Sequence, residues 1–290
     1  MNRVDLRHIS LKTPDRLSGL WKAVPPLTLG LFLVASGVTC ARLCPQVSFS
    51  SHARWPEGAL LGLATATTLI WLTRQLPGQN VLLASLVLLI PYCAVESLNS
   101  LLGIPFGPCV FGERIGRQLF NAVPWAVPVI WLVVLVNSRG VARLILSPWR
   151  QGRDYGWWLL GLSVSLTVLF DFGLQPFAVK VEHYWSWKPT KLPTDWYGAP
   201  WVNFLGRGVT ALVLLAFATP ALINKKPVAP APSYYPLVVW LSLNALVVTA
   251  AVTHHLWVAA ALSGVGALAT TVFAVRGGRG EPRRPRSSLS

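Results

Sequence analysis

The stretch Val81–Gly103, VLLASLVLLIPYCAVESLNSLLG, runs 23 residues with a single charged side chain, Glu96. A helix that crosses the hydrocarbon core of a bilayer needs about 20 apolar residues, so this stretch reads as a membrane span carrying one buried acid. Working outward from it, seven more apolar runs appear: Val24–Cys40, Glu57–Thr73, Asn121–Asn137, Trp157–Val179, Val202–Ile223, Pro236–Thr253 and Leu256–Val275. Lipid offers no hydrogen-bond partner to the backbone, so each run is expected to be a helix. The ten-residue alternating strands of a membrane β-barrel are not seen. The expected fold is therefore all-α, a polytopic integral membrane protein of about eight transmembrane helices.

Composition agrees with this reading. Of 290 residues, 53% are hydrophobic and only 12% charged, against about 25% charged in soluble domains. A soluble α/β enzyme, a disordered chain and a secreted disulfide scaffold are excluded. The net charge of +15 does not indicate nucleic acid, because much of the basic charge flanks apolar runs, where it sets topology and meets anionic lipid. With the N-terminus inside, 17 Lys and Arg, Arg139 and Arg143 among them, fall on the inner side and 8, Arg207 among them, on the outer. This predicts insertion in the cytoplasmic membrane with both termini cytoplasmic. The chain divides into a basic N-terminus (1–22), a six-helix membrane core (23–224) with an outer Trp-rich loop (180–201), a Pro/Ala linker (225–235), a hairpin (236–275) and a basic tail (276–290). The four cysteines form no CxxC pair and read as small apolar residues. No metal or nucleotide motif is present, and the adjacent His254 and His255 read as interfacial.

Chemistry is expected where polar residues enter apolar runs. An ionisable side chain there costs at least about 2.5 kcal/mol and marks a functional site by default. Glu96 shares a helix face with Asn99 and Ser100, and Asp171 shares one with Gln175, just before Pro176. The structural alternative is a polar pair without function, or an ion pair with Arg207. The segment Glu182–Phe204, EHYWSWKPTKLPTDWYGAPWVNF, places four of the fourteen Trp within 17 residues. An interfacial aromatic belt accounts for part of this. The stiffening Pro189, Pro193 and Pro200 favour a lid over a pocket. The segment Gly103–Gly112, GIPFGPCVFG, is an irregular loop on the same side. Glu96, this loop, Asp171 and the Trp-rich loop thus converge on one membrane face.

Together these segments resemble the carotenoid biosynthesis membrane proteins that include bacterial and archaeal carotenoid hydratases. The resemblance rests on Glu96 followed by GIPFG, on DFGLQP from Asp171, and on Trp185, Trp187, Tyr197, Gly198, Pro200, Asn203 and Phe204. It is strongest over Glu96–Gly208 and is expected to span the first six helices. Pro108–Cys109 and Arg207 stand where the family has aromatic residues. The resemblance implies cofactor-independent hydration of a terminal double bond of an acyclic carotenoid. A buried carboxylic acid, still protonated at neutral pH, gives its proton to the alkene. Aromatic faces then stabilise the tertiary cation, and a polar group positions and deprotonates water.

The implied catalytic residues are Asp171, Glu96, His183 and Asn203, with Asp171 favoured as donor because Phe170 and Phe172 flank it. The two acids are expected to hold one proton between them and to act as a unit. Phe106, Phe172, Trp185, Trp187, Trp196, Tyr197, Trp201 and Phe204 are the implied substrate-binding residues, with Arg207 as modulator. The implied partners are a lipid-dissolved carotenoid, membrane lipids and other enzymes of the pathway, without nucleic acid. Two other classes compete. A carotenoid-binding or assembly protein without catalysis would tolerate loss of both acids. A proton-coupled transporter would need a polar path inward, and the inner halves of the third and fifth runs offer little polarity.

Overall fold

Each apolar run forms a helix in the computed structural model, which describes residues 15–44, 55–188, 194–223 and 232–280. The helices are α1 (Asp15–Arg42), α2 (Trp55–Gln75), α3 (Gly78–Leu102), α4 (Ala126–Ile145), α5 (Tyr155–Pro176), α6 (Trp201–Leu222), α7 (Tyr235–Thr253) and α8 (Trp257–Arg279). Seven are long and apolar enough to cross a membrane; α2 is not among them. Its apolar character is diluted by Thr65, Thr67 and Thr68, of which Thr67 and Thr68 are buried. The protein is an all-α polytopic membrane protein. Residues 1–14, most of the linker (225–231), tail residues 281–290, and Pro189 and Pro193 of the Trp-rich loop lie outside the described residues.

One span differs from the sequence reading. The fourth helix covers Ala126–Ile145 rather than Asn121–Asn137. At its start, β2 (Gln118–Leu119) turns back onto β3 (Val123–Pro124) through Phe120 and Asn121, both at positive φ. At its end, Asn137, Ser138 and Arg139 look like a loop in sequence but are buried inside the bundle. The Asn137 amide donates to Thr68 Oγ1 of α2 at 2.8 Å. Arg139, counted as an inner loop charge, is therefore a buried helical residue that reaches the Leu222 carbonyl at 3.5 Å. Arg143, also counted there, donates to Gln75 at 3.1 Å. Arg207, counted outside, is buried within α6.

Helix α4 is buried over most of its surface and packs against α2, α3, α5, α7 and α8. Helix α3 pairs with α6, and α1 with α2. The hairpin α7–α8 packs directly on α4 and α5. Close approach needs a small residue: a Cβ on Gly173 of α5 would stand 2.6 Å from Ser263 Oγ and 2.8 Å from Val247 Cγ2.

The loops at the Trp-rich end are ordered by short ladders. β1 (Cys109–Phe111) pairs antiparallel with β4 (Trp185–Trp187), in register Cys109↔Trp187 and Phe111↔Trp185. This joins the Gly103–Gly112 loop to the Trp-rich loop. β5 (Thr194–Trp196) folds back onto β6 (Ala199–Pro200) through Tyr197 and Gly198, both at positive φ. Helix α5 ends in a π-helical turn, Phe177–Val181, which delivers the chain to β4.

Arg150 and Lys188 are exposed at opposite ends of α5. In a background lacking the native cysteines, an impermeant thiol reagent should label Lys188→Cys in intact cells and Arg150→Cys only after permeabilisation. Labelling of both from one side would break the topology.

Candidate active site

Tyr92 and Glu96 lie one turn apart on α3, Asp171 and Gln175 one turn apart on α5, and Asn203 and Arg207 one turn apart on α6. The three pairs meet in one chain of hydrogen bonds. The Tyr92 hydroxyl donates to Glu96 Oε1 at 2.7 Å, and Arg207 Nη1 donates to the same oxygen at 2.5 Å. Arg207 Nε donates to Asn203 Oδ1 at 3.2 Å. Asn203 Nδ2 donates to Asp171 Oδ2, and Gln175 Nε2 to Asp171 Oδ1, each at 2.9 Å. Gln175 Oε1 accepts from the indole N–H groups of Trp185 and Trp187 at 3.1 and 3.3 Å.

Donor-only groups at both ends fix this chain's direction. An indole or a guanidinium can only donate. Trp185 and Trp187 therefore require the Gln175 oxygen to face them, which turns its NH₂ toward Asp171. Arg207 does the same to Asn203. Asp171 thus receives one N–H on each carboxyl oxygen, while Glu96 receives a cation and a phenol.

The chain is closed to solvent: Asp171, Gln175 and Asn203 are 0% exposed, Glu96 1% and Arg207 5%. Burying a charge costs several kcal/mol per ion unless good geometry and further hydrogen bonds offset it. Here Arg207 has the Glu96 carboxylate, Asn203 and aromatic faces, with its Cζ 4.2 Å from the Phe106 ring centre and 4.6 Å from that of Trp131. The loop after α3 seats Phe106. Gly103 caps the helix at φ 71°, and the Phe106 N–H donates to Asn99 Oδ1 at 2.8 Å. A Cβ on Gly206 would lie 2.7 Å from the Pro105 carbonyl oxygen, so glycine lets α6 carry Arg207 up to this loop. Asn99 Nδ2 is buried with no hydrogen-bond partner among the described residues. Burial, with the Glu96 charge adding to it, pushes the Cys109 thiol far above its usual range, so it stays protonated.

The sequence-derived candidates divide into three groups. Glu96, Asp171, Asn203 and Arg207 join the polar chain, with Trp185 and Trp187 as donors and Phe106 as a face for Arg207. The two acids make no direct hydrogen bond in the chain, because Arg207 and Asn203 stand between them, so a directly shared proton is replaced by a relayed link.

Phe172, Phe204, Trp196 and Trp201 form an aromatic cluster beside the chain. The Phe172 and Phe204 rings stack at 4.2 Å, Trp196 donates to the Phe172 carbonyl at 2.8 Å, and Trp201 is half exposed. Tyr197 packs on Trp196, and its hydroxyl accepts from the Ala259 N–H of α8 at 3.4 Å. His183 is exposed at φ 53° and takes no part in the chain's hydrogen bonds.

Tyr92 and Trp131 were missed. Tyr92 stands four residues before Glu96, a spacing that could have found it. Trp131 sits in a wholly apolar run and gives no signal.

A sealed polar chain inside a helical bundle, with an aromatic cluster at its flank, is the candidate site of this all-α membrane protein. The chain matches the carotenoid biosynthesis protein family over residues 56–270 and belongs to it. The likeness therefore extends past the sixth helix through α7 into α8, and leaves α1 outside. Among curated proteins it is similar to the bisanhydrobacterioruberin hydratase of Haloarcula japonica, 29% identical over 127 residues, which cover 42% of this chain and 40% of that relative. No solved structure matches.

Glu96→Gln leaves Arg207 buried without its counter-ion and should cost about 3–5 kcal/mol. Adding Arg207→Gln should recover much of that loss. Thermal unfolding of the two variants in detergent checks the coupling.

Proposed function

We propose that this carotenoid biosynthesis protein adds water across a terminal, 1,2-type double bond of an acyclic carotenoid end, with Asp171 as the acid. One observation carries the reading: the sealed chain holds two carboxyl groups and one guanidinium, and the guanidinium sits on Glu96. A neutral buried cluster then needs one proton, and it belongs on Asp171. The hydratase activity named for the Haloarcula japonica relative supports the same reaction class.

The alkene π pair takes the Asp171 proton, forming a C–H bond and leaving a tertiary cation on the neighbouring carbon. The N–H groups of Gln175 and Asn203 stabilise the carboxylate that remains. The faces of Phe172, Phe204 and Trp201 stabilise the cation by about 2 kcal/mol when desolvated. A water lone pair closes the C–O bond, and the surplus proton returns to Asp171, now the base in the chain with no cation on it. One water is added and no electrons are exchanged. Glu96 is the counter-ion that holds Arg207 in place, and through Arg207 and Asn203 it orients Asp171. The substrate reaches the site sideways from the bilayer past Trp201, so the stack of Phe172 on Phe204 must open.

The test is the pigment profile of a host that accumulates acyclic carotenoids. Wild-type protein should yield carotenoid hydroxylated at the chain end. Asp171→Asn, inserted to the same level, should lower that yield by a factor of about 10²–10⁴, the usual contribution of a general acid. Normal hydroxylation by Asp171→Asn would sink the acid role. Unmodified carotenoid that co-purifies with wild-type protein, without hydroxylation, would favour a binding protein.

A further inference from the structure

A cavity of about 260 Å³ lies between α2, α4, α5 and α7. Phe170 and Leu174 of α5 line it, with Phe177 of the π-helical turn, whereas Asp171 and Gln175 lie one residue on from the first two, about 100° around the helix. No member of the Glu96–Asp171 chain lines this cavity. Its depth follows from the helices. Ala64 is nine residues into α2 and Val133 seven into α4, which at 1.5 Å per residue is about 10–14 Å from the loop end. That approaches the middle of a hydrocarbon core about 30 Å thick.

The mouth differs in chemistry from the interior. Glu57, Arg114 and Tyr184 line it. Behind them Arg42 binds both Glu57 and Glu182, the latter at 2.6 Å. Counting Arg114, two acids and two guanidiniums gather at this rim, so their formal charges cancel. Burial, then the charges of Glu57 and Glu182, hold the Tyr184 phenol far above its usual range and therefore neutral. An ionic head group finds no compensating field at such a rim. A neutral hydroxyl both donates to a carboxylate and accepts from a guanidinium or phenol. Inside, the walls are Leu, Ile, Val and Phe, and apolar cavities smaller than this one, at about 150 Å³, stay dry and take up apolar guests.

We infer that this cavity is a second binding site, for a single hydrocarbon chain that ends in a neutral hydroxyl, with the chain between α2, α4, α5 and α7 and the hydroxyl at the Glu57–Arg114–Tyr184 rim. The site is independent of Asp171 acting as an acid. A prenyl alcohol and a straight-chain fatty alcohol share the required chemistry.

The test is photolabelling of the full-length protein in nanodiscs with diazirine-bearing forms of geranylgeraniol, hexadecanol and palmitic acid, mapped by mass spectrometry. Either alcohol should mark cavity residues such as Leu60, Ile130 and Leu246, at least fivefold more than the acid does. The stronger of the two alcohols names the source of the chain. Ala64→Phe and Val133→Phe, which fill the cavity from two different helices, should each lower this labelling about tenfold, and Asp171→Asn should leave it unchanged. Wild-type adducts confined to outward-facing residues such as Leu82, Leu86 and Leu268 would overturn the site. Labelling by the acid equal to that by the alcohols would overturn the hydroxyl rim.

Discussion

Three ionisable side chains between lipid-embedded helices impose one constraint on the whole structure: none of them can be left to water. Arg207 and Glu96 meet at 2.5 Å, and Tyr92, Asn203, Asp171 and Gln175 are drawn into the arrangement that makes this tolerable. Removing water raises the cost of an unmatched polar atom, so satisfied networks become rigid. The rigidity extends from α3 through α6 to α5. It also dictates what the loops do, since two of the donors come from Trp185 and Trp187 rather than from a helix.

Those tryptophans change meaning once placed. Read in sequence, they are π-faces for a cation or for an interface. In the fold, their N–H groups set the direction of the Gln175 amide, and the faces that meet the Arg207 cation belong to Phe106 and to a different tryptophan, Trp131 of α4. The ladder of β1 with β4 holds Trp185 and Trp187 against the loop that carries Phe106. The loops are thus part of the site's wall, and the central position of α4 brings Trp131 to it.

How much of this could be read from the chain follows from the range of each interaction. Helices were legible because burial in lipid writes itself as uninterrupted apolar runs. The end of α4 was not, because Asn137, Ser138 and Arg139 look like a loop until α2 supplies Thr68 as partner. The polar members Glu96, Asp171, Asn203 and Arg207 stood out against apolar neighbours. Their pairing did not, since nothing local distinguishes which acid receives the guanidinium. The three-residue strands carry no pattern long enough to read, and the walls of the α2–α4–α5–α7 cavity are ordinary apolar residues that surround a space only in three dimensions. His183, a catalytic residue by resemblance, sits exposed at a left-handed backbone step and outside the chain of hydrogen bonds.

The ion pair also has a history within each molecule's synthesis. Glu96 and Arg207 are 111 residues apart, which at about 5–20 residues per second separates their appearance by roughly 6–20 s. During that interval α3 is made and α4 and α5 follow, while the carboxyl on α3 has no guanidinium to meet. Until α6 is in place, α3 can keep Glu96 neutral or hold it near the polar edge of the insertion machinery. The pairing of α3 with α6 therefore waits for α6, and the packing of α7 and α8 on α4 and α5 follows it in chain order.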